Sequence, residues 1–395
     1  MIRHILRMLW HNRRKYTGVL VEQILIFIIL MVSMVSLLEA ISKYRAPGLL
    51  NTDNVVVFGY MLNVDSYNMS REEQREISSG MDVIIEKLRQ EPFVEAITES
   101  YGFTPYLRSD EYYAEMFTDT VKADGKAIGA VVKLVDKETE KVFHPELEEG
   151  TWLTGEMLED GSYPAIVSRQ LMNKLGWRNA IGRKLYMGIT FTVVGIVPGI
   201  KQEVFSENPI AIIVPKEMWV QYITRECCAR IKPGHEDEFH FCFSREFKRI
   251  GLADKSVQLC FNLDVLKRGS MSDTVSGVAM RAIPTAFLLL FAFIGTFGLF
   301  WLNAKKRRVE FALRLVVGAT KKRLVYLVVS ESLILSVMAA LPGIMLFVFV
   351  YEWTGVHVMA VGVTFVVMVL FAVFSAWYPA YRVAGVNPVE AMREE

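Results

Sequence analysis

Apolar residues along this chain gather into four long blocks, residues 18–38, 284–302, 324–350 and 358–377, instead of recurring only at the short spacings of soluble helices and strands. Each block is close to the roughly 20 residues that cross a hydrocarbon layer as a helix. The centre of the first, from Ile24 to Val32, carries no charge. That block is too long for the apolar region of a cleavable signal, and Leu38-Glu39-Ala40-Ile41-Ser42 is a poor cleavage site. The pattern predicts a membrane protein with four transmembrane α-helices, one followed by three. A large mixed α/β extracytoplasmic domain is expected between the first and second spans.

Within residues 42–280 no stretch is long and apolar enough to span. Residues 72–90 place Ile77, Met81, Ile84, Ile85 and Leu88 on one helical face, and the helix is expected to end before Pro92. Short β-branched or aromatic runs at 126–135, 165–168, 191–197, 211–214 and 239–243 read as strands. Ser168 is placed to start a helix reaching Leu175.

Basic residues orient the spans. Arg3, Arg7, Arg13, Arg14 and Lys15 precede the first, eight Lys and Arg residues lie in 305–323 between the second and third, and Arg382 and Arg393 follow the fourth. Residues 351–357 hold none. The positive-inside bias puts both termini and the 305–323 loop in the cytoplasm, and residues 42–280 outside it. The expected order is a cytoplasmic N-terminal segment 1–17, spans 18–41, 281–304, 324–350 and 358–378, a short outer loop 351–357, and a cytoplasmic tail 379–395. Ile2, Ile5, Leu6, Leu9 and Trp10 recur at helical spacing, so residues 1–17 read either as an interfacial amphipathic helix or as a basic helix continuous with the first span.

Composition adds exclusions. Lys and Arg number 44 against 43 Asp and Glu, giving a net charge of +1, which argues against a basic nucleic-acid binder. The mean hydropathy of +0.28 excludes a disordered chain. In the stretch from His235 to His240 the histidines stand five apart, not on one helix face as in a zinc-protease helix. Cys227, Cys228, Cys242 and Cys260 allow several disulfide pairings or plain buried thiols, and they lack the paired Cys-x-x-Cys spacing of a zinc site. No Gly-x-Ser-x-Gly elbow occurs, and Gly125-Lys126 lacks the surroundings of a phosphate loop. The expectation is a chain without catalytic residues, metal ligands or nucleotide-binding site of its own.

The loop 305–323 is the most distinctive segment. Val309, Ala312, Leu313, Val316 and Val317 fall at helical spacing, Glu310 and Arg314 form an i,i+4 pair, and Gly318 can end one helix before Thr320 begins the next. Physical pattern alone makes this a short amphipathic helix on the membrane surface. Glu331, about two turns into the third span, has to be paired or wet if it is charged. Asn387-Pro388-Val389-Glu390 is a good helix start.

The sequence Arg308-Val-Glu-Phe-Ala-Leu-Arg-Leu-Val-Val-Gly-Ala-Thr320, the following Glu331-Ser332 and the tail from Tyr378 to Arg393 resemble the permease module of the MacB/FtsX superfamily of ABC transporters. Gly150, Pro164 to Ser168, Ile181-Gly182 and Phe191 to Val197 resemble its periplasmic core. Phe311-Ala312, Tyr381 and Met392 depart from the usual pattern. The resemblance implies that residues 308–320 form a coupling helix seated in a separate cytosolic ATPase, with Arg308, Glu310, Phe311, Arg314, Gly318, Ala319 and Thr320 at the contact. It implies ATP and Mg in that partner, a second permease as homo- or heterodimer, residence in the bacterial inner membrane, and in some members a periplasmic adaptor and outer-membrane channel. The implied activity is mechanotransmission for export of a peptide, drug, lipid or lipoprotein. The alternative is a non-transporting transmitter that regulates a cell-wall hydrolase or senses antimicrobial peptides.

Overall fold

The computed structural model describes residues 13–62, 71–107, 117–218, 226–251 and 256–385. The first half runs α1 (Arg13–Arg45), β1 (Val55–Leu62), α2 (Arg71–Leu88), β2 (Val94–Ser100), β3 (Thr118–Ala123), β4 (Lys126–Val135), α3 (Thr139–Phe143), β5 (Glu149–Gly150), β6 (Tyr163–Ser168) and α4 (Arg169–Leu175). There follow β7 (Lys184–Met187), β8 (Ile189–Val197), β9 (Ala211–Pro215), β10 (Glu226–Ile231), α5 (Glu236–Arg249), β11 (Ser256–Asn262), α6 (Leu263–Lys306), α7 (Arg308–Val316), α8 (Lys321–Val350) and α9 (Gly355–Ala384). Contacts divide the chain into two compact units: Met1–Ser42 with Val275–Glu395, and Lys43–Thr274.

In the first unit α1, α6, α8 and α9 are each long and apolar enough to cross a membrane. Their mutual packing buries Phe27, Met31 and Val35 of α1 against Ala340 and Phe347 of α8 and Ala360, Met368 and Phe371 of α9. Two serines within the bundle find partners across helices: Ser336 donates to Gln23 Oε1 at 3.1 Å and Ser332 to the Ala372 carbonyl at 3.0 Å. Gly343 of α8 lies so close to α1 that a Cβ there would sit 2.3 Å from Phe27 Cδ1. At the far end of the hairpin joining α8 and α9, His357 Nε2 meets Glu39 Oε1 at 2.7 Å. Helix α6 begins at Leu263, so Pro284 lies inside a helix and not at its entry. Hydropathy marks where lipid contact begins, which need not be where a helix begins.

Among the described residues the second unit holds two sheets. One is antiparallel, in the order β11-β1-β10-β2. The other runs β5-β8-β6-β9-β4-β3-β7, and a further β7–β8 pairing closes six of its strands into a ring. The pairs β4–β9 and β6–β8 are parallel. Helix α4 starts where Ser168 Oγ accepts from the Leu171 N–H at 3.3 Å, and it lays Leu171, Met172 and Leu175 on the ring's apolar core. Helix α2 buries Ile77, Met81, Ile84, Ile85 and Leu88, together with α5, against β1 and β10.

Residues 239–243, expected as a strand, belong to α5. Phe239, Phe241 and Phe243 alternate, but Phe239, Phe243 and Phe247 are buried at i, i+4 and i+8 while Phe241 is 66% exposed. Three acidic residues in the first turn and Lys248 and Arg249 in the last complement the helix dipole. His235 sits just before α5, stacked on Phe93 and 2.7 Å from Glu238.

All four cysteines are free thiols. Cys227 and Cys228 are neighbours on β10 and enter opposite cores. Cys260, Phe58 and Cys227 lie in register on three successive strands, which separates the two sulfur-bearing residues by about 9–10 Å, beyond disulfide reach. Burial pushes the Cys260 thiol up to about 12 and the Cys228 thiol well above its usual range. Among the described residues no three His, Cys, Asp or Glu side chains gather as metal ligands.

Candidate coupling site

Helix α6 gives way to α7 at a single residue. Arg307 adopts φ −93° and ψ 11°, and its guanidinium, not a capping hydroxyl, ties the break together. It donates to Glu310 at 2.9 and 3.3 Å and to both oxygens of Glu331 at 2.9 and 3.1 Å, while lying 5.1 Å from the centre of the Phe311 ring. Glu310 in turn bonds Arg314 at 2.5 Å. Glu331 is 1% exposed, and its charge is met by a single guanidinium nitrogen, Nη1, that reaches both carboxylate oxygens, while Nε and Nη2 make the forked pair with Glu310.

Phe311 turns inward and packs on Phe300, Leu324, Val328, Leu335, Ala376 and Ala380, and Ala312 is buried beside it in sequence. The apolar stripe expected on α7 therefore divides. Ala312 faces the bundle, whereas Leu313, Val316 and Val317 are 52%, 62% and 88% exposed. Past Val316 the chain reverses at Gly318, whose φ of +98° is left-handed and favours glycine. The Ala319 N–H bonds the Arg314 carbonyl at 2.8 Å and the Gly318 N–H bonds Leu315 at 3.0 Å, the paired closure of a Schellman turn. Thr320 Oγ1 then accepts from the Arg323 N–H at 3.3 Å and starts α8. A cleft of about 380 Å³ opens beside the turn, lined by Leu313, Arg314, Val317, Gly318, Ala319 and Arg323.

Of the residues singled out from the sequence, Arg314, Gly318 and Ala319 border this cleft, and Glu310 and Thr320 shape the segment that carries it. Phe311 is buried, at 1% exposure, and so supports the helix from beneath instead of offering a contact. Arg308 borders a different cavity, with Trp301 and Lys305. Arg307, the residue that joins α6, α7 and α8, was hidden in a run of four basic residues. Its spacing to Glu310 and Phe311, three and four positions on, was the available signal. Residues 387–390 and the N-terminal residues 1–12 lie outside the described residues.

The family described as MacB-like periplasmic core domain matches residues 24–237, more than half of the chain. A second, FtsX-like permease C-terminal, matches residues 283–388, which include α7 and the Gly318 turn. The chain belongs to the MacB/FtsX-like ABC permeases. Among curated relatives, the pyoverdine export ATP-binding/permease protein PvdT of Pseudomonas fluorescens (strain Pf0-1) is 22% identical over 282 residues, 66% of this chain and 42% of that protein. The chain thus spans less than half the length of that relative. Solved structures with similarity include the periplasmic region of MacB from Actinobacillus actinomycetemcomitans, at 11% identity and TM-score 0.38 over 55% of this chain and 92% of that one. The extracellular domain of the Gram-positive transporter YknZ gives 13% identity and TM-score 0.36 over 50% and 95%. By its two family matches and its four long apolar helices, the MacB/FtsX-like permease is a multi-pass membrane protein with an extracytoplasmic α/β domain.

Proposed function

We propose that this chain converts ATP hydrolysis by a separate cytosolic ABC ATPase, which holds the ATP and Mg, into movement of its outer domain, driving export from the inner membrane of a bacterium. The observation that carries the proposal is the division of α7 into two faces. One is fixed to the bundle by Phe311 and the Arg307–Glu331 pair, and the other presents Leu313, Val316 and Val317 to the surroundings. An exposed apolar patch on a clamped helix is what a seat in a partner requires. Both connections to the outer unit, α1 and α6, are continuous helices, which suits them to transmit displacement. The 44 residues of α6 extend about 66 Å at 1.5 Å per residue, roughly twice the hydrocarbon thickness. A second permease completes the working assembly in this reading. Export is favoured over signalling because the relative PvdT is named for pyoverdine export; the cargo of this chain is a peptide, drug, lipid or lipoprotein.

The test is to place aspartate on the exposed face. Val316→Asp with Val317→Asp should leave the purified chain's melting temperature within about 2 °C, since exposed positions tolerate substitution. It should abolish vanadate-sensitive ATPase activity that co-purifies with the wild-type chain. Retention of that activity by the double variant would refute the docking role of α7.

A further inference from the structure

At the same end of the bundle as α7, four cations border one cavity. A cavity of about 600 Å³ is lined by Trp301, Lys305, Arg308, Lys321, Tyr381 and Arg382, with the Val383 and Gly385 backbone region beside them. Among the described residues no carboxylate borders it, and Lys305, Lys321 and Arg382 make no ion pair. Its volume is within the range of small-ligand sites, about 300–1,000 Å³. Lys305, Lys321 and Arg382, gathered at one cavity with no counter-charge among the described residues, raise the local potential and call for an anion.

The surroundings define which anion. Trp301 stacks on Tyr378 at 6.2 Å and on Phe297 at 6.3 Å, forming a ladder of rings down α6 and α9. Leu302, Trp377, Tyr378 and Tyr381 are 59%, 49%, 47% and 63% exposed on the outside of the spans. Amphipathic rings of this kind mark the level where hydrocarbon meets headgroups. The cavity lies where this ring ladder meets the basic loop, at headgroup depth. It shares no lining residue with the cleft at Leu313 and Val317, so the surface suited to a protein partner is separate. We propose that this cavity binds the phosphodiester headgroup of an anionic phospholipid, with the acyl chains lying along the aromatic faces of α6 and α9. Basic pockets between spans are sites of this chemistry in membrane proteins generally. The inference needs only that the chain crosses a membrane and is independent of the ATPase reading.

The test titrates a tail-labelled fluorescent phosphatidylglycerol into the full-length chain in uncharged detergent. Lys305→Gln with Arg382→Gln should weaken binding about tenfold or more, and Lys321→Gln alone about threefold. Lys306→Gln with Lys322→Gln removes the same charge from the same end of the bundle outside the cavity and should change binding less than about twofold. Phosphatidylcholine with the same label should bind at least about tenfold more weakly, and inorganic pyrophosphate should not displace the lipid. Equal losses in the two double variants, indifference to the headgroup, or displacement by pyrophosphate would each overturn the proposal. So would a K305Q/R382Q chain that folds, keeps the lipid and loses its ATPase, because the cavity would then be a protein contact. Should the neutral double variant fail to fold, K321Q and the charge-conserving K305R/R382K, expected to retain binding, decide in its place.

Discussion

Arg307 satisfies two carboxylates and an aromatic face at once, which makes it the most constrained charge in the spanning unit. Removing it leaves Glu331 buried and unmatched, a situation that costs about 3–5 kcal/mol. Arg307→Gln should therefore lower the melting temperature of the detergent-solubilised chain sharply, and adding Glu331→Gln should recover more than half of the loss. A double variant no better than the single would show that the pair is not coupled. The sequence made clear that Glu331 needed a partner, but its partner lies 24 positions away across two helix breaks, and no local spacing reports such a contact. The outer domain has a comparable residue in Lys133, fully buried and donating to the Gly102 carbonyl. Burial pulls its ammonium down to about 8 against the attraction of Glu226, whose carboxylate accepts from the Gly102, Phe103 and Thr104 N–H groups at 2.8, 3.2 and 2.9 Å. Because the folded value is the lower one, the unfolded chain binds the extra proton between about pH 8 and 10.5, and stability rises with pH across that window. Relative to Lys133→Met, the wild-type chain should gain about 2 kcal/mol between pH 7.5 and 9.5 by linkage, read as a converging or reversing difference in melting temperature. A pH-independent difference would contradict the buried, titrating amine.

Elements were legible wherever a pattern ran long enough to separate the periods of helix and strand. The four spans, α2 and its five buried apolar positions, the start of α4 at Ser168, and β4 at residues 126–135 all follow from spacing and capping chemistry. Helix α5 did not, because five alternating residues fit both periods, and Phe247, the residue that distinguishes them, stands four positions past the alternating run. The family of the 305–323 loop and its Gly318 reversal were readable from residues, whereas the burial of Phe311 depends on where α8 and α9 stand and was not. Packing between α1 and α8 has the same character: nothing local marks Gly343 as different from Gly298 or Gly362, yet only Gly343 of these three faces a ring 2.3 Å from where its Cβ would be. Gly343→Leu should push the helices apart and cost about 1–3 kcal/mol. Phe27→Ala should cost about 3–5 kcal/mol by leaving a cavity. The double variant refills that space, so its loss should be clearly less than the sum of the two, measured by thermal unfolding in one detergent. Additive losses would mean the two side positions do not share a volume.

At the scale of the whole molecule, function depends on which side of the membrane each unit faces, and α1 and α6 are the connections between them. Charge supplies the argument: residues 305–323 hold eight Lys and Arg residues, and the turn joining α8 to α9 holds none, so under the proposed function the positive-inside bias sets the basic end on the ATPase side and the His357–Glu39 end on the other. An odd number of crossings separates the outer unit from α7, because α6 alone lies between them. The proposed function therefore predicts that Asp82 on the exposed side of α2 and Lys322 at the start of α8 are on opposite sides. In intact cells, a cysteine at Asp82→Cys should react with a membrane-impermeant maleimide above the background of the four native thiols, two of which are fully buried. A cysteine at Lys322→Cys should stay unlabelled until the membrane is permeabilised. Labelling of both in intact cells would break the single crossing by α6. The opposite pattern would put α7 outside, where no ATP-driven partner is available, and the transmission mechanism would have no source of force.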